Sequence, residues 1–468
     1  MALTSHQSTP KSGTGMKGAA LEIQGADLVK HTIARRAFEA VVWGMPAVNF
    51  DLLYQAMAQA KGAWNQVVYW SRLPDWRNQT LTPNPDVIYV FPFFDTKDVG
   101  PMVMEIPPAG DGSITGSVDD AWQSALEDVG PAGLDKGRGG KYLILPPGYT
   151  GKTHDGYITL QSSTYRSYAI LRSNLASGSD ADVAKAVAYG KRVKVYPLSQ
   201  AANPPPTKFV DAIDVVYDST IPYDLRFFQA LDRFVQHEPW LTRDKAMIDT
   251  LKSIGIEKGK PFEPSAKTHE VLVSAAQEAH AWLDFGYEGL FSPAYFPGGH
   301  WALPASQEVV EGMPTFFADP NSYPVDGRGV TYSMAYFSAK HLGTGQFYLM
   351  TIKDKGGNTF DGRSTYRLNV PANAPVKLYW SATAYDRATH ALIRNLPRSS
   401  RASNSVGLQK NADGSTDVFF GPKAPVGKDS NWVPTSAGGK FEVLFRLYGP
   451  EKPLFDKTWV LPDIEKVD

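Results

Sequence analysis

Two stretches of this chain, from about residue 86 to 175 and across roughly the last 120 residues, are short apolar runs punctuated by glycine, proline and aspartate. Runs of this length between turn residues have no room to become long helices, and they read as strands. The first stretch holds VIYVFPFF, PMVMEIP, KYLILPP, GYITL and SYAILRS; the second holds QFYLMTIKD, STYRLNV, VKLYWSATAYD, STDVFFG and KFEVLFRLYG. The short connections predict antiparallel pairing. The turns are supplied by 41 glycines and 35 prolines, about one residue in six of 468.

Helical spacing occupies the rest. Ala34, Ala37, Phe38, Val41, Val42 and Met45 recur on one helix face, and Val48, Leu52 and Ala56 resume the stripe beyond Gly44 and Pro46, which predicts a kinked or paired helix. Further helices are expected after Ser179, over Leu225–Val235, after Thr242, and from about 264 to 290. The fold class expected is α+β: a tail over 1–25, a mixed helix and antiparallel-sheet unit over 26–200, a helical segment over 201–300, and a jelly-roll-like β-sandwich over 301–468.

Composition removes several classes of function. Lys+Arg 47 against Asp+Glu 48 leaves no basic surplus for nucleic acid. The absence of cysteine excludes disulfides, thiolate nucleophiles and cysteine metal sites. No apolar run is long enough to span a membrane. The Ser/Thr/Gly-rich start lacks the apolar core of a secretion signal, so the chain as written reads as cytoplasmic, or as periplasmic if a leader has been removed.

Several motifs almost form. PPGYTGKT imitates a P-loop, but Pro146 stands where the first glycine belongs. No two histidines have zincin spacing, so no metal site is expected, and Gly112 to Gly116 centres on Ile114 where a nucleophile elbow needs serine. No cofactor motif is recognised.

Three polar constellations remain. In TLTPNPDVIYV, Thr80, Thr82, Asn84 and Asp86 alternate just before a strand that carries Tyr89, a pattern that points hydrogen-bonding groups to one side; the structural alternative is a proline turn. Trp64, Tyr69, Trp70 and Trp76 cluster near Arg72 and Arg77, as an aromatic ligand wall or as core. Near the C-terminus stand Trp380, Tyr385, Asp386, Asn431, Trp432 and Arg446, with Asp386 a candidate partner for Arg446 in its apolar strand. Arg172, at a strand end, could grip a substrate carboxylate or pair with a local acid.

The blocks AFEAVVWGMPAVNFDLL, WRNQTLTPNPDVIYVFPFFD and KYLILPPGYTGKTHDGYI resemble the bacterial domain of unknown function numbered twelve fifty-four. LYWSATAYD, NADGS, NWVP, FRLYGP and the closing WVLP resemble its usual companion, numbered twelve fourteen. The resemblance runs from about Arg35 to Val467 and implies an α/β N-terminal unit with a β-sandwich C-terminal unit, but it brings no reaction with it. Its members often begin with a secretion signal, which this chain as written does not. Motif and polar cluster coincide at Thr82, Asn84, Asp86, Tyr89, Trp380, Tyr385, Asp386, Asn431, Trp432 and Arg446.

The expected function is an enzyme, hydrolase-type, acting on a small polar or aromatic molecule at the junction of the two β units. Asp86 would accept a proton, Tyr89 would donate one to a developing oxyanion, and Arg172 or Arg446 would anchor a carboxylate. The alternatives are a carbohydrate or small-ligand binding protein and a homo-oligomeric interaction subunit.

Overall fold

In the computed structural model the described residues are 25–467 except 153–154, 337–338 and 344. The expected N-terminal tail lies, through residue 24, outside the described residues. The elements that build the site are helix α1 (Gly25–Gln59), strands β1 (Ile88–Asp95), β2 (Ile114–Asp120) and β3 (Arg166–Ser173), helices α2 (Ala266–Gly289) and α3 (Val325–Met334), and strands β4 (Gln346–Thr351), β5 (Val376–Asp386) and β6 (Phe441–Pro450).

The N-terminal unit is layered. A six-stranded sheet runs in the order Phe209–Asp211, Gln66–Tyr69, β1, β3, β2, Ala125–Val129. One face packs on a four-stranded sheet, through Val90, Phe94 and Leu171 against Met102, Met104 and Ile144. The other face, carrying Tyr89, Phe91, Tyr168 and Ile170, packs on the helices. The C-terminal unit is a pair of four-stranded sheets, one ordered β4, β6, β5, Ser400–Ala402. Trp380, Phe445 and Leu349 meet Leu368, Val418 and Phe420 between the two. The α+β expectation holds.

Alternation along β4, β5 and β6 turns their other faces toward the N-terminal unit. Met350, Tyr379, Tyr385, Leu444 and Tyr448 belong to the same buried cluster as α1. One apolar core therefore joins the helices to both β units. Among the described residues no helix is long and apolar enough to cross a membrane.

Of the kinked or paired helix expected at Pro46, the paired form does not occur: one continuous helix of 35 residues runs through the proline. Every residue from Ala40 to Asp51 is buried, so packing on all sides holds the helix through the proline. Pro46 has no N–H for the carbonyl of Val42. Helix α3 backs onto that carbonyl at Gly329, where a Cβ would sit 2.9 Å from Val42 O and 3.0 Å from Val42 Cγ1. Gly329→Ala should therefore destabilise by about 1–3 kcal/mol, against the usual helix preference for alanine. Gly289→Ala, with nothing within 4 Å of the new methyl, should be neutral or stabilising. Thermal melts of the two variants check the contrast.

Candidate functional site

The six-stranded sheet and the β4–β6–β5 sheet each present one row of side chains to the space between the units. In the first, Tyr89 of β1 lies opposite Arg172 of β3, and Arg172 lies opposite Thr115 of β2. In the second, Tyr348 of β4 lies opposite Arg446 of β6, and Arg446 lies opposite Ser381 of β5. Directly opposed residues in antiparallel strands point to the same side. Each sheet thus offers a tyrosine, an arginine and a hydroxyl in one rung. Tyr89, Arg172, Tyr348 and Arg446 line one cavity of about 60 Å³, with Thr82, Leu53, Ile170, Ala335 and Leu444 among its walls.

The Thr82–Asp86 segment forms one side of this space. Thr82 has φ 40°, a left-handed conformation costly for a β-branched residue. Both of its peptide groups are tied: its N–H donates to His390 O at 2.7 Å, and its C=O accepts from Arg446 Nη2 at 2.7 Å. Asn84 is buried, and its Nδ2 donates to Tyr379 Oη at 3.1 Å and Tyr448 Oη at 2.9 Å. The Asn84 backbone N–H donates to Tyr89 Oη at 2.7 Å, and the Arg172 guanidinium carbon lies 5.6 Å from the Tyr89 ring centroid. The O–H of Tyr89 finds no acceptor among the described residues.

Both arginines are buried, Arg172 to 6% exposure and Arg446 to 1%. Arg446 donates to Thr383 Oγ1 at 3.0 Å and to Tyr385 Oη at 2.5 Å, besides Thr82 O. Tyr385 in turn donates to Pro83 O at 2.6 Å. Arg172 is far less satisfied, since its Nε and Nη1 have no partner among the described residues. Burial works against charge on both groups, but surrounding tyrosine oxygens outweigh it and push both pKa values up. Both guanidiniums stay protonated. No carboxylate lines the cavity beside either guanidinium among the described residues.

Other expected residues lie elsewhere. Asp86 lines a neighbouring cavity of about 340 Å³ with Trp76, Arg398 and Arg401. Its Oδ1 accepts from Ser400 Oγ at 2.9 Å while Oδ2 has no partner among the described residues, and burial raises its pKa to about 6, opposed by the Ser400 hydrogen bond and the charge of Arg446. Asp386 does not pair with Arg446: its Oδ1 closes a turn by accepting from Ala388 N at 2.9 Å and Thr389 N at 3.1 Å. It flanks Tyr385 on the strand, and alternation sends it to the opposite face. Trp380 packs inside the C-terminal sandwich against Phe445, ring centroids 5.5 Å apart. Asn431 ties Gln409 and Asp417 together through their carbonyls, and Trp432 Nε1 donates to Gly421 O at 2.8 Å. None of these four lines the cavity. Of the aromatic cluster, Trp70 is core against Tyr89, Phe91 and Tyr217.

Sequence reading missed Tyr348, Gln346 and the hydroxyl of Ser381. The signal was present, because Gln346, Tyr348 and Met350 alternate on β4 as Leu444, Arg446 and Tyr448 do on β6. Glu127, Asp128 and His341 bring metal-type donor atoms within 4.8 Å of one another. A cation already sits there: Lys340 Nζ lies 3.1 Å from Glu127 Oε2. The Asp128 oxygens are engaged by Ser117 Oγ and by the backbone N–H groups of Lys340 and His341.

Residues 64–197 match the family described as protein of unknown function DUF1254, and residues 345–452 match the one described as DUF1214. The crystal structure of the VPA0106 protein from Vibrio parahaemolyticus is 16% identical with a TM-score of 0.56, over 93% of this chain and 100% of that one. That likeness shows a shared fold. An uncharacterized protein from Burkholderia cenocepacia is 11% identical with a TM-score of 0.43, over 94% of this chain and 95% of that one. No curated protein matches the sequence.

Two rungs along the first sheet from Arg172, Asp119 lies opposite Tyr168. It is fully buried, and neither carboxyl oxygen has a partner among the described residues. Burial, then the charges of Asp120 and Asp128, hold its pKa well above 3.8. In the folded chain the group keeps its proton where the unfolded chain would lose it. Its contribution to stability is therefore full below about pH 4 and falls as pH rises toward the folded pKa. Asp119→Asn should be at least as stable as wild type at pH 7, with the difference closing toward pH 4. Urea denaturation at pH 4, 5.5 and 7 measures this, and a variant weaker than wild type at pH 7 would contradict it.

Proposed function

The chain pairs a DUF1254 region with a DUF1214 region, and for such a chain we propose that a small molecule is held and acted on in the cavity between the two β units, with Tyr89 as proton donor. One observation carries this reading. The Tyr89 oxygen accepts the Asn84 N–H and the Arg172 guanidinium lies over its ring, while its own hydrogen has no acceptor among the described residues. A phenol whose oxygen is held by a backbone N–H and whose hydrogen is free to point into the cavity suits a group that gives its proton to a developing oxyanion.

This shifts weight within the expected pair of residues. Asp86 lines the neighbouring cavity, across the Thr82–Asp86 segment, so as a base it would serve a ligand there. Hydrolysis in the first cavity would need water activated by another group. Among the described residues that line it, no carboxylate and no imidazole is present. The same observation favours the second reading, a binding protein without chemistry.

Turnover of a panel of small esters and amides separates the two. For any member the wild type hydrolyses, Tyr89→Phe should lower kcat by about 10²-fold or more with little change in KM. Ala335→Phe, which places a ring in the cavity, should abolish binding and turnover together. Wild-type turnover in Tyr89→Phe would remove Tyr89 from the reaction, and undiminished binding in Ala335→Phe would remove the cavity.

A further inference from the structure

We infer that the ligand of this cavity is a small organic anion, a carboxylate of about four to six non-hydrogen atoms, gripped between the Tyr89–Arg172 rung and the Tyr348–Arg446 rung. The inference rests on the cavity being the binding site.

Charge comes first. Two guanidiniums line the space, and no acidic residue does among those described. The carboxylates near enough to influence either arginine are already accounted for. Asp119, which senses Arg172, makes no hydrogen bond to it, and its burial raises its pKa. Asp86, which senses Arg446, is hydrogen-bonded to Ser400 and lines the other cavity. Buried cations without counter-ions are rare because each costs more than it returns until an anion arrives. A neutral ligand would leave that cost in place, and a cation would add to it.

Hydrogen-bonding capacity points the same way. Arg172 lines the cavity, and its Nε and Nη1 have no partner among the described residues. The guanidinium fork matches a planar carboxylate in two parallel bonds. Size sets the class. A water-sized group needs about 10–15 Å³ of such space, so a cavity of about 60 Å³ takes a two- or three-carbon acid. Leu53, Leu81, Met350 and Leu444 on the walls favour an acid with an aliphatic body over inorganic phosphate.

Binding of L-lactate, its neutral counterpart lactamide, glycolate, pyruvate and inorganic phosphate is measured by calorimetry and thermal shift at fixed ionic strength. Wild type should bind at least one of the three carboxylates, and lactate should bind at least tenfold more tightly than lactamide or phosphate. Arg172→Met should weaken carboxylate binding at least tenfold while the melting temperature of the empty protein holds or rises. A purely structural arginine would lower it. Arg172→Gln provides a second uncharged variant, and Arg172→Lys should recover part of the affinity. Lactamide or phosphate binding as well as lactate, or Arg172→Met and Arg172→Gln binding like wild type, would overturn the assignment of a carboxylate held by Arg172. If that binding is still lost in Ala335→Phe, the cavity reading survives. Failure of every probe to bind wild type overturns both.

Discussion

The hydrogen bonds of Arg446 hold the junction of the two units together. From the middle of β6, its guanidinium reaches Thr383 and Tyr385 on the neighbouring strand and the carbonyl of Thr82 on the opposite unit. Tyr385 reaches across as well, to Pro83 O. The proline-bounded segment before β1 is thereby fixed to the face of the C-terminal sheet. Thr82 can hold its left-handed backbone because both of its peptide groups are claimed, one by Arg446 and one by His390. Each end of this seam depends on the other.

The two arginines occupy matching rungs but do different work. Arg446 is nearly satisfied by protein atoms, so its charge is spread over three oxygens that hold the interface. Arg172 faces it with two unfilled nitrogens. A protein selected for stability alone would replace such a group with an apolar side chain, often at a gain. Keeping both leaves two guanidiniums lining the cavity with no acidic residue beside them among the described residues that line it. Low surrounding polarisability strengthens any bond an incoming anion makes there.

Most of the strands were legible because their ends are marked by glycine, proline and aspartate, and because the runs are too short for other structure. VIYVFPFF became Ile88–Asp95 and VKLYWSATAYD became Val376–Asp386. What the local pattern could not show was which partner each strand face would meet. Trp380 and Ser381 are adjacent, yet one fills the sandwich and the other lies on the Arg446 side of the sheet. Tyr385 and Asp386 split the same way, so Asp386 could never reach Arg446. At Pro46 the local pattern left a kinked helix and a helix pair both open, and burial on every side of α1 keeps the helix continuous through the missing hydrogen bond. The polar alternation Thr82, Asn84, Asp86 was legible as a cluster. Its division between two cavities depends on a tertiary wall that no single segment encodes.

That wall also links the cavities energetically. The backbone N–H of Asp86 donates to Asn84 Oδ1 at 2.9 Å, Asn84 anchors Tyr379 and Tyr448, and the Asn84 N–H holds the Tyr89 oxygen. Charge on Asp86 is favoured by Arg446, so an anion arriving beside Arg446 would oppose ionisation of a carboxyl whose pKa is already about 6. By linkage, ionised Asp86 weakens anion binding by the same factor. A carboxylate outside the cavity can therefore tune its affinity through the pH range where that carboxyl titrates, without touching the ligand.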